Sequence, residues 1–405
     1  MSFHSPAITL ERNGCRVVSR RVPGVGGEEL FLTAEPRVAA TAADQATFLF
    51  EELWRALSGM AEGRNVSILT LNLYFRNIVR DRDAVRGVLC QSFERHGLGE
   101  VAPVSFEVEQ TPADELACFT VALRVLLASG PRWPICTLIQ APLDGSGHAG
   151  TEPQGVCVAA EGEIQLYASG LYGRGDSATE QALSMFEAAE GVLKKSGLAW
   201  PDVVRTWIHL AQIDEDYAAL NEARRSFFQA RSLNPVPAST GIGGRPASPG
   251  HRLSLGLYAR RPQESVIRQI RPMSAPTLNE APTYGADFVR GMRVDDAKRV
   301  SLYVSGTASI DEQGRTAHVG NIEGQIERML LNVSALLTEQ GAAVRDVVSA
   351  TTYLKDPTHR SILIDLYRRA GFHGFPHTVV IAPICRPELL CEVEVVAVRA
   401  LGSGA

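Results

Sequence analysis

The sequence predicts an α+β protein of three tandem units, and three observations carry that expectation. One order of segments, strands then helix then strand then helix then a Pro-started strand pair, runs through the chain three times. A glutamine stands near the start of the first helical pattern each time, at Gln45, Gln181 and Gln325. Two stretches separate the recurrences, residues 131–155 rich in Pro and Gly and residues 262–282 with four prolines and little periodicity. Self-similarity at a nearly constant period marks a repeat. Helices alternating with strands in each repeat predict a mixed sheet with helices on one face.

In the first unit, residues 1–130, Leu30-Phe31-Leu32-Thr33-Ala34 precedes a helical pattern over 43–57, with Phe48, Leu49, Leu53 and Leu57 at helical spacing. The second unit, 131–262, repeats this as Leu166-Tyr167-Ala168-Ser169-Gly170 and a helix over 180–193, stopped at Gly197. The third, 263–405, has Leu302-Tyr303-Val304-Ser305-Gly306 and a helix over 324–337, stopped at Gly341. Strand-like runs follow at 66–75, 203–210 and 347–354. Second helices follow these, among them 218–230 and 361–370. The closing strand pairs open at Pro103, Pro237 and Pro376. Residues 131–155 and 262–282 read as connections.

Composition narrows the partners. The chain has 405 residues, enough for two or three cores. Its 40 Lys+Arg against 45 Asp+Glu leave no basic footprint for nucleic acid or an anionic membrane, so a small molecule is the expected partner. Glu11, Arg12, Arg16 and Arg20 break up the N-terminal region, and no apolar run is long enough to span a bilayer. A cytoplasmic location is expected. Seven scattered cysteines without a C-x-x-C pair suggest neither a disulfide framework nor a zinc site. His148, His209, His251, His318, His359, His373 and His377 lack metal-ligand spacing, and no metal or cofactor is expected. Gly241-Ile242-Gly243-Gly244 is not a phosphate loop, because no Lys-Ser/Thr pair follows; it suits close backbone approach to a ligand.

The chemistry is expected at residues 375–394, two short strands broken between Pro383 and Pro387. In the second of them Glu392 and Glu394 share one face and Val393 and Val395 the other. Adjacent carboxylates on an otherwise apolar strand repel each other and are partly desolvated, and both effects raise one pKa. The result would be a general acid at neutral pH. The same pattern also fits an edge strand whose glutamates face water.

The unit order, the Ser-Gly after the first hairpin, the Gln-led helix and the Pro-started last strands resemble the Rid (YjgF-like) superfamily. Members of that superfamily are commonly trimers with sites between subunits. The resemblance implies that three units in one chain form an internal pseudo-trimer, compatible with a monomer. Within the superfamily the second and third units resemble the chorismatases, which release pyruvate from chorismate. The runs that carry this are Gln140-Ala141-Pro142-Leu143-Asp144-Gly145, Leu220-Asn221-Glu222-Ala223-Arg224, Pro237-Ala238-Ser239-Thr240-Gly241-Ile242-Gly243 and Phe288-Val289-Arg290. Most specific are Ser305-Gly306-Thr307-Ala308-Ser309-Ile310 and Ile384-Cys385-Arg386-Pro387-Glu388-Leu389-Leu390-Cys391-Glu392. The likeness covers residues 130–400 well and the first unit in outline.

Several roles follow from the resemblance alone. Glu392 would protonate the enol-ether methylene of a chorismate-like dicarboxylate. Cys385, seven residues earlier, would place the chain in the 3-hydroxybenzoate-forming branch, feeding secondary metabolism. Arg224 and Arg290, with Arg245 third, would grip carboxylates, since a guanidinium matches a carboxylate bidentately. Tyr284, Phe288 and Gly241 would line the pocket. Ser105, Ser239 and His377 stand where Rid deaminases carry a carboxylate-binding arginine, which argues against simple imine hydrolysis. The lead-in over 279–287 also differs from the chorismatase pattern. An enzyme acting on another carboxylated ring, or a non-catalytic Rid-like binding module, therefore stays open.

Overall fold

The computed structural model describes residues 5–97, 105–128, 135–140, 153–160, 162–262, 270–279, 287–296 and 299–401. Three mixed sheets carry two helices each: α1 (Ala42–Ala61) and α2 (Ile78–Arg95), α3 (Ala178–Lys195) and α4 (Ile213–Ala230), α5 (Ile322–Thr338) and α6 (Arg360–Arg369). Thr41, Ser177 and Asn321 cap the first helix of each unit, each accepting a backbone N–H in the first turn. These caps place the helix starts slightly ahead of the apolar periodicity. In α1, Leu49, Leu53 and Leu57 are fully buried, as their spacing predicts. In each sheet one pair of strands runs parallel, as in Val347–Leu354 beside His377–Ile381, while the other pairs are antiparallel.

The repeated glutamine does the same work three times. The Gln45 amide donates to Val38 O (2.9 Å) and Leu116 O (2.7 Å) and accepts from Cys118 N (2.8 Å). Gln181 spans Gly175 O, Gly250 O and Arg252 N in the same way. Gln325 donates to His318 O (3.3 Å) and Glu388 O (2.8 Å) and accepts from Leu390 N (2.8 Å). A buried primary amide can satisfy donors and acceptors on two loops at once. Each first helix is thereby fastened to the loop that launches the last strand of its sheet.

The units exchange strand ends around a pseudo-threefold axis. Arg245–Pro246 of the second unit joins the first sheet against Glu109 and Val108, and Thr111–Pro112 of the first joins the third sheet against Ile381 and Val380. Gly243 N closes the circle by donating to Pro383 O at 2.9 Å. On the axis, Glu29 binds Arg124 and Arg299, Arg299 binds Asp296, and Arg260 bonds Glu163 at 2.6 Å and faces Asp296 at 3.6 Å. Burial alone would raise the Glu29 pKa, but the two guanidiniums outweigh it and hold the group at about 2. The stacked rings of Tyr167 and Tyr258, with Tyr303 beside them, fill the same region. The expected internal pseudo-trimer of three α+β units is the architecture found.

Candidate active site

Helix α4 of the second unit and the closing strand of the third face each other across a cavity of about 230 Å³. Tyr217 and Asn221 project from α4 four residues apart, on one face of the helix, with Arg224 one turn on. Phe288 and Arg290 come from the lead-in to the third sheet, Gly306 and Ala308 from its strand Arg299–Ala308, and Cys385, Arg386 and Glu392 from the loop and strand that end it.

Glu392 pairs on the ladder with Tyr353 on one side and Ala308 on the other. It is 5% exposed, and its carboxyl forms no hydrogen bond among the described residues. Burial pushes its pKa up to about 8, and the neighbouring Glu394 adds to the shift. Arg205 and Arg290 oppose it. At pH 7 Glu392 is therefore a neutral carboxylic acid. The strand opposite has an irregularity between Val304 and Thr307, which brings Gly306 under the carboxyl. A Cβ on Gly306 would lie 3.0 Å from Glu392 Cδ and 3.1 Å from Thr240 Cγ2, with Glu392 Oε1 closer still. A side chain there would push the Glu392 carboxyl aside.

Glu394 shares the face of Glu392 but not its environment. Its carboxylate accepts from Arg205 (2.8 Å), Trp207 Nε1 (3.1 Å) and Thr240 Oγ1 (2.7 Å), all from the second unit. Thr240 Oγ1 also accepts from Gly306 N (3.0 Å) and from Arg205. The two glutamates differ because one is hydrogen-bonded to a cation and the other is not. The bonded one borders a second cavity of about 110 Å³ on the pseudo-threefold axis.

The same ladder position holds Thr120 beside Tyr74 in the first unit and Ser254 beside His209 in the second. Ala122 and Gly256 stand where Glu394 does. The carboxylate pair is thus confined to one of three equivalent places. Burial and the nearby Glu392 push the Cys385 thiol up to about 12, against a hydrogen bond with Tyr217, so Cys385 is a neutral thiol.

The residues expected for substrate contact divide. Phe288, Arg290, Cys385 and Glu392 line the cavity. Arg290 is buried and donates to Asn279 O (2.8 Å) and Asn279 Oδ1 (3.1 Å). Arg224 is not among the described residues that line the cavity; it donates to Asn221 Oδ1 (2.7 Å), and its guanidinium and that of Arg290 each lie 5.7 Å from the Phe288 ring centre. Gly241 lets the Tyr217 ring approach, since a Cβ there would lie 3.2 Å from Tyr217 Cε2, so it shapes the wall from behind. Arg245 lies elsewhere: its strand crosses into the first sheet, where it faces Glu109 at 4.0 Å and is 57% exposed, and it is not among the described residues that line the cavity. Tyr284 and most of the run from Gln140 to Gly145 lie outside the described residues.

Tyr217, Asn221 and Arg386 were not singled out by sequence reasoning. A signal existed for the first two, because Tyr217 and Asn221 share a helical face with Arg224. Arg386 adjoins Cys385 and donates to Gly314 O at 2.8 Å. Among the described residues no group of three or more His, Cys, Asp or Glu could hold a metal ion, and no helix is long and apolar enough to cross a membrane.

Comparison with known proteins agrees with this architecture. The pattern of the Endoribonuclease L-PSP family matches residues 153–259 and again 279–399, together more than half of the chain. A RutC family protein of Pyrococcus abyssi is 30% identical over 99 residues, 24% of this chain and 78% of its own. One of Saccharolobus solfataricus is 29% identical over 119 residues, 29% of this chain and 91% of its own. A chorismatase crystal structure aligns with a TM-score of 0.58 over 82% of this chain and 93% of its own, at 17% identity, which is a likeness of fold. Two successive matches on a three-sheet scaffold establish that the chain belongs to the Endoribonuclease L-PSP family, the Rid/YjgF proteins, with the chorismatase fold.

Proposed function

We propose that the protein is an enzyme of the chorismatase kind that releases pyruvate from chorismate and forms 3-hydroxybenzoate. The observation that carries this reading is Glu392, a neutral carboxylic acid without a protein hydrogen-bond partner among the described residues, in a cavity walled by Arg290 and Arg386. Carbon accepts protons slowly, so an acid aimed at an enol-ether methylene must hold its proton at neutral pH in a site that excludes water. Glu392 donates that proton and an oxocarbenium ion forms at the ether carbon. The Glu392 carboxylate left behind then lies beside the positive charge and stabilises it. The neighbouring ring hydroxyl attacks the ether-bearing ring carbon as that carbon's bond to the ether oxygen breaks and pyruvate leaves. The hydroxyl proton returns to the Glu392 carboxylate, and the ring epoxide so formed opens with loss of the proton on that carbon to give the aromatic ring. The two products sum to the substrate, so neither water nor a co-reactant is consumed. Cys385, a neutral thiol next to the acid, favours this course over the diene-forming one that needs water.

Incubation with chorismate without added cofactor tests the proposal, following pyruvate and identifying the ring product by chromatography. Pyruvate with 3-hydroxybenzoate is expected, and Glu392→Gln should abolish both. Pyruvate with a dihydroxycyclohexadiene carboxylate would keep the acid and discard the role of Cys385. No pyruvate from folded protein would discard chorismate as substrate. The second reading, another carboxylated ring metabolite, draws on Asn279, part of the divergent lead-in, which holds Arg290 through both its carbonyl and its side chain.

A further inference from the structure

Thr240 places a single hydroxyl between Gly306 and Glu394. It stands on the strand Ala238–Gly243 of the second unit and is 1% exposed. Its Oγ1 donates to Glu394 Oε2 at 2.7 Å and accepts from Gly306 N at 3.0 Å and from Arg205. A hydroxyl has one proton to give and two lone pairs to fill, so this one is fully used. The residue before it acts on the same segment. Ser239 N donates to Ser305 Oγ at 3.0 Å, and Ser305 Oγ donates to Val289 O at 2.6 Å. The irregular part of the third unit's strand is therefore pinned from the second unit at two successive residues, Ser305 and Gly306.

The pseudo-threefold repeats this position without its contacts. Thr240 pairs with Trp207, two residues ahead of His209; Thr378 pairs with Thr351, two ahead of Tyr353; Phe106 pairs with Asn72, two ahead of Tyr74. His209, Tyr353 and Tyr74 are the ladder partners of the place that Glu392 takes in the third unit. Phe106 has no hydroxyl, and its ring lies against Gly256, where a Cβ would be 3.1 Å from Phe106 Cε2. The Ser169 Oγ, at the counterpart of Ser305, is buried with no hydrogen-bond partner among the described residues. Thr378 keeps the hydroxyl, but Ala122 stands where Glu394 does, and Thr378 Oγ1 is buried with no partner among the described residues. The hydroxyl is engaged beside the carboxylate pair and idle where the pair is missing.

We propose that Thr240 is a positioning residue: its hydroxyl, reaching from the second unit, holds Gly306 beneath the Glu392 carboxyl and fixes Glu394 beside it. Thr240 is not among the described residues that line the cavity, so it acts through these two. The turnover arm of the test rests on the chorismatase reading, and the arm without substrate does not. Thr240→Val keeps the shape and removes the hydroxyl, Thr240→Ser keeps the hydroxyl, and Thr378→Val makes the same change at the idle counterpart. In Thr240→Val the kcat for pyruvate release should fall by about a hundredfold, as for a reacting group displaced by roughly an ångström. KM should be unchanged, because no contact with the substrate is lost. Thr240→Ser should recover most of the loss, and Thr378→Val should match the native protein. Circular dichroism checks folding; Thr240→Ala, smaller at the crowded contact with Gly306, replaces the valine variant if that one does not fold, with the same expected outcomes. Native kcat in Thr240→Val, equal losses in Thr240→Val and Thr378→Val, or a serine variant as slow as the valine one would overturn the proposal. Without substrate, hydrogen exchange followed by mass spectrometry should quicken around Gly306 in Thr240→Val and not in Thr378→Val. The infrared midpoint of the Glu392 carboxyl should also move down, because a loosened seat lets water reach a group whose pKa is raised chiefly by burial. If the native protein releases no pyruvate, the chorismate reading falls and these two readouts decide the proposal: native exchange and a native midpoint in Thr240→Val would overturn it.

Discussion

The carboxyl of Glu392 rests against the backbone of Gly306, at a distance that leaves no room for a Cβ. The strand irregularity that presents Gly306 and the burial that keeps Glu392 protonated are two parts of one arrangement. Gly306→Ala should therefore displace the acid without unfolding the sheet. Pyruvate release should fall by about a hundredfold, the cost of moving a reacting group by roughly an ångström, while circular dichroism stays unchanged. Native turnover in this variant would show that the acid does not work from this seat.

Glu394 is the like charge that helps keep Glu392 neutral, and Arg205 opposes that effect. Replacing Glu394 by Gln removes the repulsion and leaves the Arg205 charge uncompensated. Both changes lower the Glu392 pKa. The alkaline limb of the pH–rate profile should then move to lower pH, with activity retained on the acid side. A limb that does not move would mean that another group sets it.

Stability should carry the opposite signature. An unfolded glutamate ionises near its ordinary value of about 4.3, whereas native Glu392 ionises at about 8. Between these values the native state holds the extra proton, so its stability falls as pH rises through the window and the penalty is complete above pH 8. Glu392→Gln removes the titrating group. It should stabilise the protein by about 3 kcal/mol at pH 7 and have little effect below pH 4. Denaturant unfolding at the two pH values measures this, and equal effects at both would contradict a raised pKa.

The glutamine clamps allow a comparison within one chain. Removing an amide that serves three part-buried backbone groups costs about 2–3 kcal/mol, so Gln45→Leu and Gln325→Leu should destabilise the protein to similar extents. Only Gln325 fastens Glu388 and Leu390, just ahead of Glu392. Turnover at a temperature where both variants are folded should fall in Gln325→Leu and not in Gln45→Leu. Parallel losses would show that the clamp acts on global stability alone.

What could be read from the sequence was local or periodic. The repeat was visible because each unit needs the same buried amide at the same place, and the shared face of Glu392 and Glu394 follows from strand alternation. The difference between the two glutamates was not visible, because it is made by Arg205, Trp207 and Thr240, which reach Glu394 from a different unit 154 to 189 residues away. Arg245 was misplaced for a related reason. Proximity in sequence to Gly241 and Gly243 does not reveal that the chain crosses to the neighbouring sheet two residues later. Arg224 lies on the right face of the right helix, but Asn221, to which it is bonded, is the residue that lines the cavity.

The most direct measurement is a difference infrared titration of the native protein against Glu392→Gln, following the stretch of a protonated carboxyl from pH 5 to pH 10. A band present at pH 7 and lost near pH 8 is the predicted result. Absence of that band already at pH 6 would mean that Glu392 is ionised in the resting protein and is not the acid on which the reaction depends.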